Sequence, residues 1–205
     1  MKIKAIFYDL DGVLADACEL HYLALNKALH KICSFTISRT EHETVYNALP
    51  TKKKLELMAR QDRIKSELIQ VIFDEKQAMT KEAIMQSLSY DQSKVDLHNY
   101  TKSLGIRSAC VTNSITETAE LMLKQTGQLE YMEFVISNEM VKNAKPHGEG
   151  YLRAMVRTGL MPEEVLIVED SDKGVAAANA VSANILRVHG PNDVIIANVK
   201  MALGV

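Results

Sequence analysis

Apolar positions in this chain follow two rhythms. From Ile3 to Tyr8, and again over Arg107–Thr112, Phe134–Ser137, Val165–Glu169 and Asn184–Val188, they come in short unbroken runs. Such runs predict strands buried on both faces. Between the later runs the apolar positions recur every three or four residues, which predicts helices over Thr116–Gln125, around Glu149–Thr158 and over Lys173–Val181. Strand and helix alternating in this way imply βαβ units and a parallel sheet covered on both faces. Gly190-Pro191 marks a loop before a short tail, where an edge strand is expected.

The stretch from Asp16 to Ser89 has helical spacing throughout. Leu20, Leu23, Ala24, Ala28 and Ile32 form one stripe, and Leu55, Met58 and Ala59 a second. Ile64, Leu68, Ile69, Ile72 and Phe73 form a third, and Ala83, Ile84 and Leu88 a fourth. Glycine is absent from this stretch and proline occurs once, at Pro50. About four helices are expected, inserted immediately after the first strand. The predicted architecture is α/β: a doubly wound, Rossmann-like parallel sheet from residues 1–15 and 90–205, with an all-helical domain over 16–89.

Composition narrows the partners. With 47% hydrophobic residues the chain has ample material for a core, and a net charge of −2 offers no basic field for nucleic acid. No apolar run approaches the roughly 20 residues that cross a bilayer, and Met1 runs into the first strand without a signal-like segment. Cys18, Cys33 and Cys110 are odd in number and widely spaced, which suits reduced core thiols rather than a metal site. A cytoplasmic monomer that binds neither membrane nor nucleic acid is the expectation.

The chemistry lies at the strand ends. The first strand stops at Asp9, Asp11 and Gly12. Two carboxylates two positions apart, at the end of a buried strand, repel each other unless a cation joins them. Glycine lets the backbone turn and bring N–H groups toward a ligand. Val165–Glu169 likewise runs into acids, with Asp170 and Asp172 following, the latter a candidate cap for the next helix. Asp9, Asp11 and Asp170 together suit Mg²⁺, a hard cation that takes one or two carboxylates and fills its sphere with water and phosphate oxygens. Thr112, Asn113 and Ser114 stand where a strand meets a helix, a natural anion site. Lys145 precedes Pro146, which is expected in the first helical turn and holds the residue before it extended. In a parallel sheet all these strand ends share the edge where ligands bind.

These stretches, Asp9-Leu-Asp11-Gly12-Val-Leu, Val111-Thr112-Asn113, Lys145-Pro146 and Val168-Glu169-Asp170-Ser171, resemble in order the four motifs of the haloacid dehalogenase-like hydrolases. The resemblance spans essentially the whole chain. The helical insertion, with Asp16 and His21, looks like the cap of the subgroup containing β-phosphoglucomutase and phosphoglycolate phosphatase. Ala17 departs from that pattern, which usually has a hydroxyl residue there, and Ala48 stands where glycine is usual in the cap's specificity loop. The resemblance implies that Asp9 is a nucleophile toward phosphorus and Asp11 a general acid and base. It implies Mg²⁺ held by Asp9, the backbone carbonyl of Asp11 and Asp170, with Glu169 supporting from behind. Thr112, Asn113 and Lys145 would bind the phosphoryl group. In the cap it makes His21, Lys52 and Lys53 candidates for substrate contact. The activity implied is Mg²⁺-dependent hydrolysis of a small phosphorylated metabolite, a sugar phosphate, through an aspartyl-phosphate. The alternatives are a β-phosphoglucomutase-like mutase and a phospho-accepting receiver-type signalling domain.

Overall fold

The computed structural model describes Lys2–Val205, which divides into two compact units: residues up to Asp16 with Leu88–Val205, and Ala17–Ser87. The first is an α/β unit built on five parallel strands. In chain order these are β1 (Ala5–Tyr8), β2 (Arg107–Val111), β3 (Val135–Ile136), β4 (Val165–Glu169) and β5 (Asn184–Arg187), and their order in the sheet is β3-β2-β1-β4-β5. β1 pairs with both β2 and β4, so it is buried on every side, which is why Ala-Ile-Phe-Tyr shows no polar alternation.

Side chains that alternate along β1 face opposite helices. Phe7 joins a core with Ala109, Val111 and Ile167, covered by α7 (Glu149–Thr158) through Tyr151 and Ala154 and by α8 (Asp172–Asn179) through Ala177 and Ala178. Tyr8 points the other way, where His98 of α5 (Gln92–Ser103) meets its ring edge-on at 5.5 Å. The sheet is thus wound on both faces. α6 (Thr116–Gln125) packs beside β3, and α9 (Ile196–Leu203) against α5.

In this unit three details differ from the sequence reading. The tail adds no edge strand: it forms α9, seated through the buried Val194 and Val199, so β5 remains an edge. Pro146 is not in a first helical turn, because α7 begins at Glu149 and the cis Lys145–Pro146 bond belongs to the turn before it. The cap of α8 is not Asp172 but Ser171, whose hydroxyl accepts the Gly174 N–H at 3.0 Å. Asp172 lies exposed in the first turn and pairs with Arg187.

The second unit is all helical. α1 (Cys18–Cys33) and α3 (Thr51–Arg60) both pack on α4 (Ile69–Ser87). Between α1 and α3 a single turn, α2 (Arg39–Glu41), runs into a wide π turn over His42–Tyr46. The two stripes expected as separate third and fourth helices are largely one helix, α4, since neither glycine nor proline interrupts it. Leu25, Leu29, Tyr46, Leu55, Met58 and Ile72 make the core. The Asn26 side chain pins the loop after α1, donating to Ile37 O at 3.0 Å and accepting its N–H at 2.8 Å. Among the described residues no helix is long and apolar enough to cross a membrane.

Candidate active site

The register of the sheet brings the sequence candidates together. Tyr8 is level with Cys110 on one side and Val168 on the other, so Asp9, Val111 and Glu169 emerge side by side from three adjacent strands. The Asp9 N–H prolongs the ladder to Val168 O at 3.0 Å. Beyond it the chain doubles back: Leu10 O accepts from the N–H groups of Val13, Leu14 and Ala15, and Gly12 turns at φ +85°. This tight loop directs Asp11 toward the start of α6, where its Oδ2 accepts the Ser114 hydroxyl at 2.8 Å.

Lys145 is the centre of the cluster. Its Nζ donates to Asp9 Oδ1 at 2.7 Å, Val111 O at 2.7 Å and Glu169 Oε1 at 2.5 Å, and sits 4.9 Å from the Tyr151 ring centroid. Burial works against the ammonium, but the charges of Asp9 and Glu169 outweigh it and raise its pKa. Asn113 holds the lysine's backbone from both sides: its Oδ1 accepts the Lys145 N–H at 3.0 Å, and its Nδ2 donates to Lys145 O at 3.1 Å. Thr112 is buried, with its N–H on Ile136 O at 2.9 Å and its hydroxyl accepting the Ser114 N–H at 3.0 Å.

The acids are crowded. Asp9, Glu169 and Asp170 each present an oxygen within 4.8 Å of the others'. Burial, and then Glu169's charge, raise Asp9 well above the ordinary carboxylate range and push Asp170 up to about 6. One ammonium among these acids leaves excess negative charge at the mouth of the sheet, and oxygen donors so gathered fit a hard divalent cation. Glu169 is fully buried; besides Lys145, its Oε1 accepts the Tyr151 hydroxyl at 2.6 Å. Gly174 of α8 leaves the space for it, because a Cβ there would fall 1.9 Å from the carboxylate.

The remaining candidates belong to the helical unit. His21 Nδ1 lies 2.9 Å from the ammonium of the buried Lys76, which can only donate, so Nδ1 is the acceptor. Lys52 is exposed, 4.9 Å over the Phe73 ring, and Lys53 is exposed and paired with Glu56 at 2.9 Å. Lys54, the third of the run, is buried.

Tyr151 and Gly174 were not among the sequence candidates, and Ser114, expected at the anion site, instead holds Asp11. Tyr151 and Gly174 carry no signal in the sequence, where they look like a core aromatic and a weak helix former.

Comparison with known proteins adds to this geometry. The family model described as haloacid dehalogenase-like hydrolase matches residues 6–188. A phosphorylated carbohydrates phosphatase of Thermotoga maritima is 28% identical over 193 residues, covering 92% of this chain and 85% of that protein. A phosphoglycolate phosphatase of Thiobacillus denitrificans is 25% identical over 201 residues, covering 92% and 84%. Among solved structures, CbbY from Rhodobacter sphaeroides in complex with phosphate matches with a TM-score of 0.83 at 23% identity, over 92% of this chain and 87% of that one. β-Phosphoglucomutase from Clostridium difficile matches with a TM-score of 0.83 at 21% identity, over 98% and 97%. At these identities the two structures speak for a shared fold.

Proposed function

Because the chain belongs to the haloacid dehalogenase-like hydrolase family, we propose that it is a Mg²⁺-dependent phosphatase of a small phosphorylated metabolite, a sugar phosphate, working through an aspartyl-phosphate. The observation that carries the reading is the bridging of Asp9 and Glu169 by the single ammonium of Lys145, beside Asp170. The names of two similar proteins, a phosphorylated carbohydrates phosphatase and a phosphoglycolate phosphatase, support the substrate class.

Asp9 attacks phosphorus in line and takes the phosphoryl group, which divides one difficult displacement into two easier ones. Lys145 restrains the attacking carboxylate and, as a buried cation, neutralises charge on the phosphoryl oxygens. Asp11 donates a proton to the leaving oxygen and then takes one from the water that hydrolyses the intermediate. The Ser114 hydroxyl on Asp11 Oδ2 holds that carboxyl in one orientation. Asn113 fixes the backbone from which Lys145 extends, and Thr112 stands at the phosphoryl-binding end of β2. Asp9, the carbonyl of Asp11 and Asp170 would hold Mg²⁺, with Glu169 steadying Lys145 behind them. When bound, the ion supplies charge that lets an anionic carboxylate approach an anionic phosphate. Selection among phosphate esters falls to the helical unit, with His21, Lys52 and Lys53 as candidates. A cytoplasmic monomer is part of the same reading.

The test is a panel of phosphorylated metabolites assayed for Mg²⁺-dependent phosphate release, with β-glucose 1-phosphate plus a trace of the 1,6-bisphosphate as one member. Phosphate release from sugar phosphates is expected. Conversion to glucose 6-phosphate with little free phosphate would replace hydrolysis by mutase chemistry.

A further inference from the structure

An ammonium has three protons to donate, and those of Lys145 are all engaged, on Asp9 Oδ1, Val111 O and Glu169 Oε1. To donate to a phosphoryl oxygen it must release one of them, and giving up the neutral Val111 O would leave three anions on one ammonium, so the exchange is of one carboxylate for the incoming anion. Its bond to Asp9 restrains the proposed nucleophile, so releasing that one works against the attack. Releasing Glu169 would ordinarily strand a fully buried carboxylate. Glu169 has nowhere to withdraw, since the first turn of α8 closes against it at Gly174.

Tyr151 removes the difficulty. Its hydroxyl donates to the same Oε1 at 2.6 Å, and its ring is fully buried in the core between sheet and α7. We propose that Tyr151 is a positioning residue: its hydroxyl keeps Glu169 hydrogen-bonded while Lys145 turns a donor from Glu169 to the phosphoryl group. The inference rests on the phosphatase reading above. It places the effect of Tyr151 in the transition state, where the phosphoryl charge builds, and not in substrate binding.

Tyr151→Phe isolates the hydroxyl, because the ring under Lys145, 4.9 Å from Nζ, is retained. The experiment compares the wild type, Tyr151→Phe, Glu169→Gln and the double variant on a phosphate ester at saturating Mg²⁺. It reads kcat and KM separately, together with the melting temperature of the metal-free proteins. A hydrogen bond to a charged group predicts a fall in kcat of about tenfold to a hundredfold for Tyr151→Phe, with KM changed less than about twofold. In the Glu169→Gln background the added loss shrinks to about twofold, because the group through which Tyr151 acts has no charge left to support. An unchanged kcat in Tyr151→Phe overturns the inference, as does an equal loss in both backgrounds with a lowered melting point, the mark of a packing role. Should Tyr151→Phe fold poorly, fluorinated tyrosines at position 151 keep ring and hydroxyl and vary only the donor's acidity. A kcat that follows that acidity supports the proposal, and one indifferent to it overturns it. A wild type that releases phosphate from no ester overturns the phosphatase reading and this inference with it. Wild-type turnover that is indifferent to Tyr151 overturns the inference alone.

Discussion

Asp9 and Lys145 stand 136 positions apart in the chain and meet at 2.7 Å, Oδ1 to Nζ, inside a buried site. The same ammonium reaches Glu169, so one cation balances two carboxylates, Glu169 fully buried and Asp9 largely so. Lys145→Ala leaves both without a counter-charge, Glu169 keeping only neutral donors such as the Tyr151 hydroxyl, and should cost about 3–5 kcal/mol of folding stability. Asp9→Asn does the reverse, since burial and Glu169 already disfavour the Asp9 charge. Its metal-free protein should melt at the wild-type temperature or above, while phosphate release falls about a thousandfold or more with the proposed nucleophile gone. Chemical denaturation beside a phosphate assay checks both; a Lys145→Ala protein as stable as wild type would show that the bridge does not hold the site.

On the proposed reading, changes at Asp170 and Lys145 separate metal binding from phosphate binding. In the metal-free protein the Asp170 carboxyl is pushed up to about 6 from 3.8, first by burial and then by Glu169. A carboxyl raised in the folded state stabilises the fold at low pH, and that contribution is lost as pH rises through about 6. Mg²⁺ needs the ionised form, so its affinity should fall as pH drops below about 6, with protons released on binding. Calorimetric titrations at two pH values in buffers of different ionisation heat measure both effects. Asp170→Asn should raise the Mg²⁺ concentration for half-maximal activity about tenfold to a hundredfold. Lys145→Ala should lower kcat at saturating Mg²⁺ instead, and the reverse pattern would exchange the two roles.

Gly174→Ala puts a methyl group 1.9 Å from the Glu169 carboxylate. Alanine is the better helix former by about 1 kcal/mol, so propensity alone predicts a gain. Overpacking a site walled by Lys145 and Tyr151 costs about 1–3 kcal/mol and should win, lowering both stability and kcat. A denaturation midpoint above wild type would mean that Glu169 has room to move.

His98 supplies a pH signature away from the acids. Burial lowers its pKa from 6.5 to about 4, and its Nε2 is held by Gln128 Oε1 at 3.0 Å. Gln128 Nε2 already donates to Leu14 O and the Thr126 hydroxyl, so its Oε1 accepts and Nε2 of the histidine carries the proton. The folded state refuses a second proton that the unfolded chain accepts. Stability is therefore full above about 6.5 and is lost as pH falls toward about 4. Between pH 7.5 and 5 the loss due to His98 should be about 2 kcal/mol. Urea titrations of wild type and His98→Gln at the two pH values isolate it, and equal losses in both proteins would assign the pH dependence elsewhere.

Local patterning carries much of this molecule. The apolar run before Asp9 needs a position buried on both faces, and the helical spacing of Thr116–Gln125 and Glu149–Thr158 needs one covered side; both requirements are legible within the segment itself. Because parallel strands present their ends at a common edge, acids, hydroxyls and a lysine following separate strands were legible as one cluster before any contact was known. The tail is not decided locally: a few apolar residues after Gly190-Pro191 fit a strand or a helix equally well, and packing against α5 decides between them.

Partnerships between side chains far apart in sequence were decided only by the tertiary structure. Lys52, Lys53 and Lys54 are chemically alike, and the turn of α3 alone buries the third and exposes the first two. Asn113 clasping the Lys145 backbone, Ser114 on Asp11, and Tyr151 and Lys145 sharing one oxygen of Glu169 all depend on strand register and on where each helix begins. Sequence periodicity reports which face of an element is covered. The distance between two buried polar atoms on different elements is set by how those elements pack, to within the few tenths of an ångström that separate a hydrogen bond from a stranded charge.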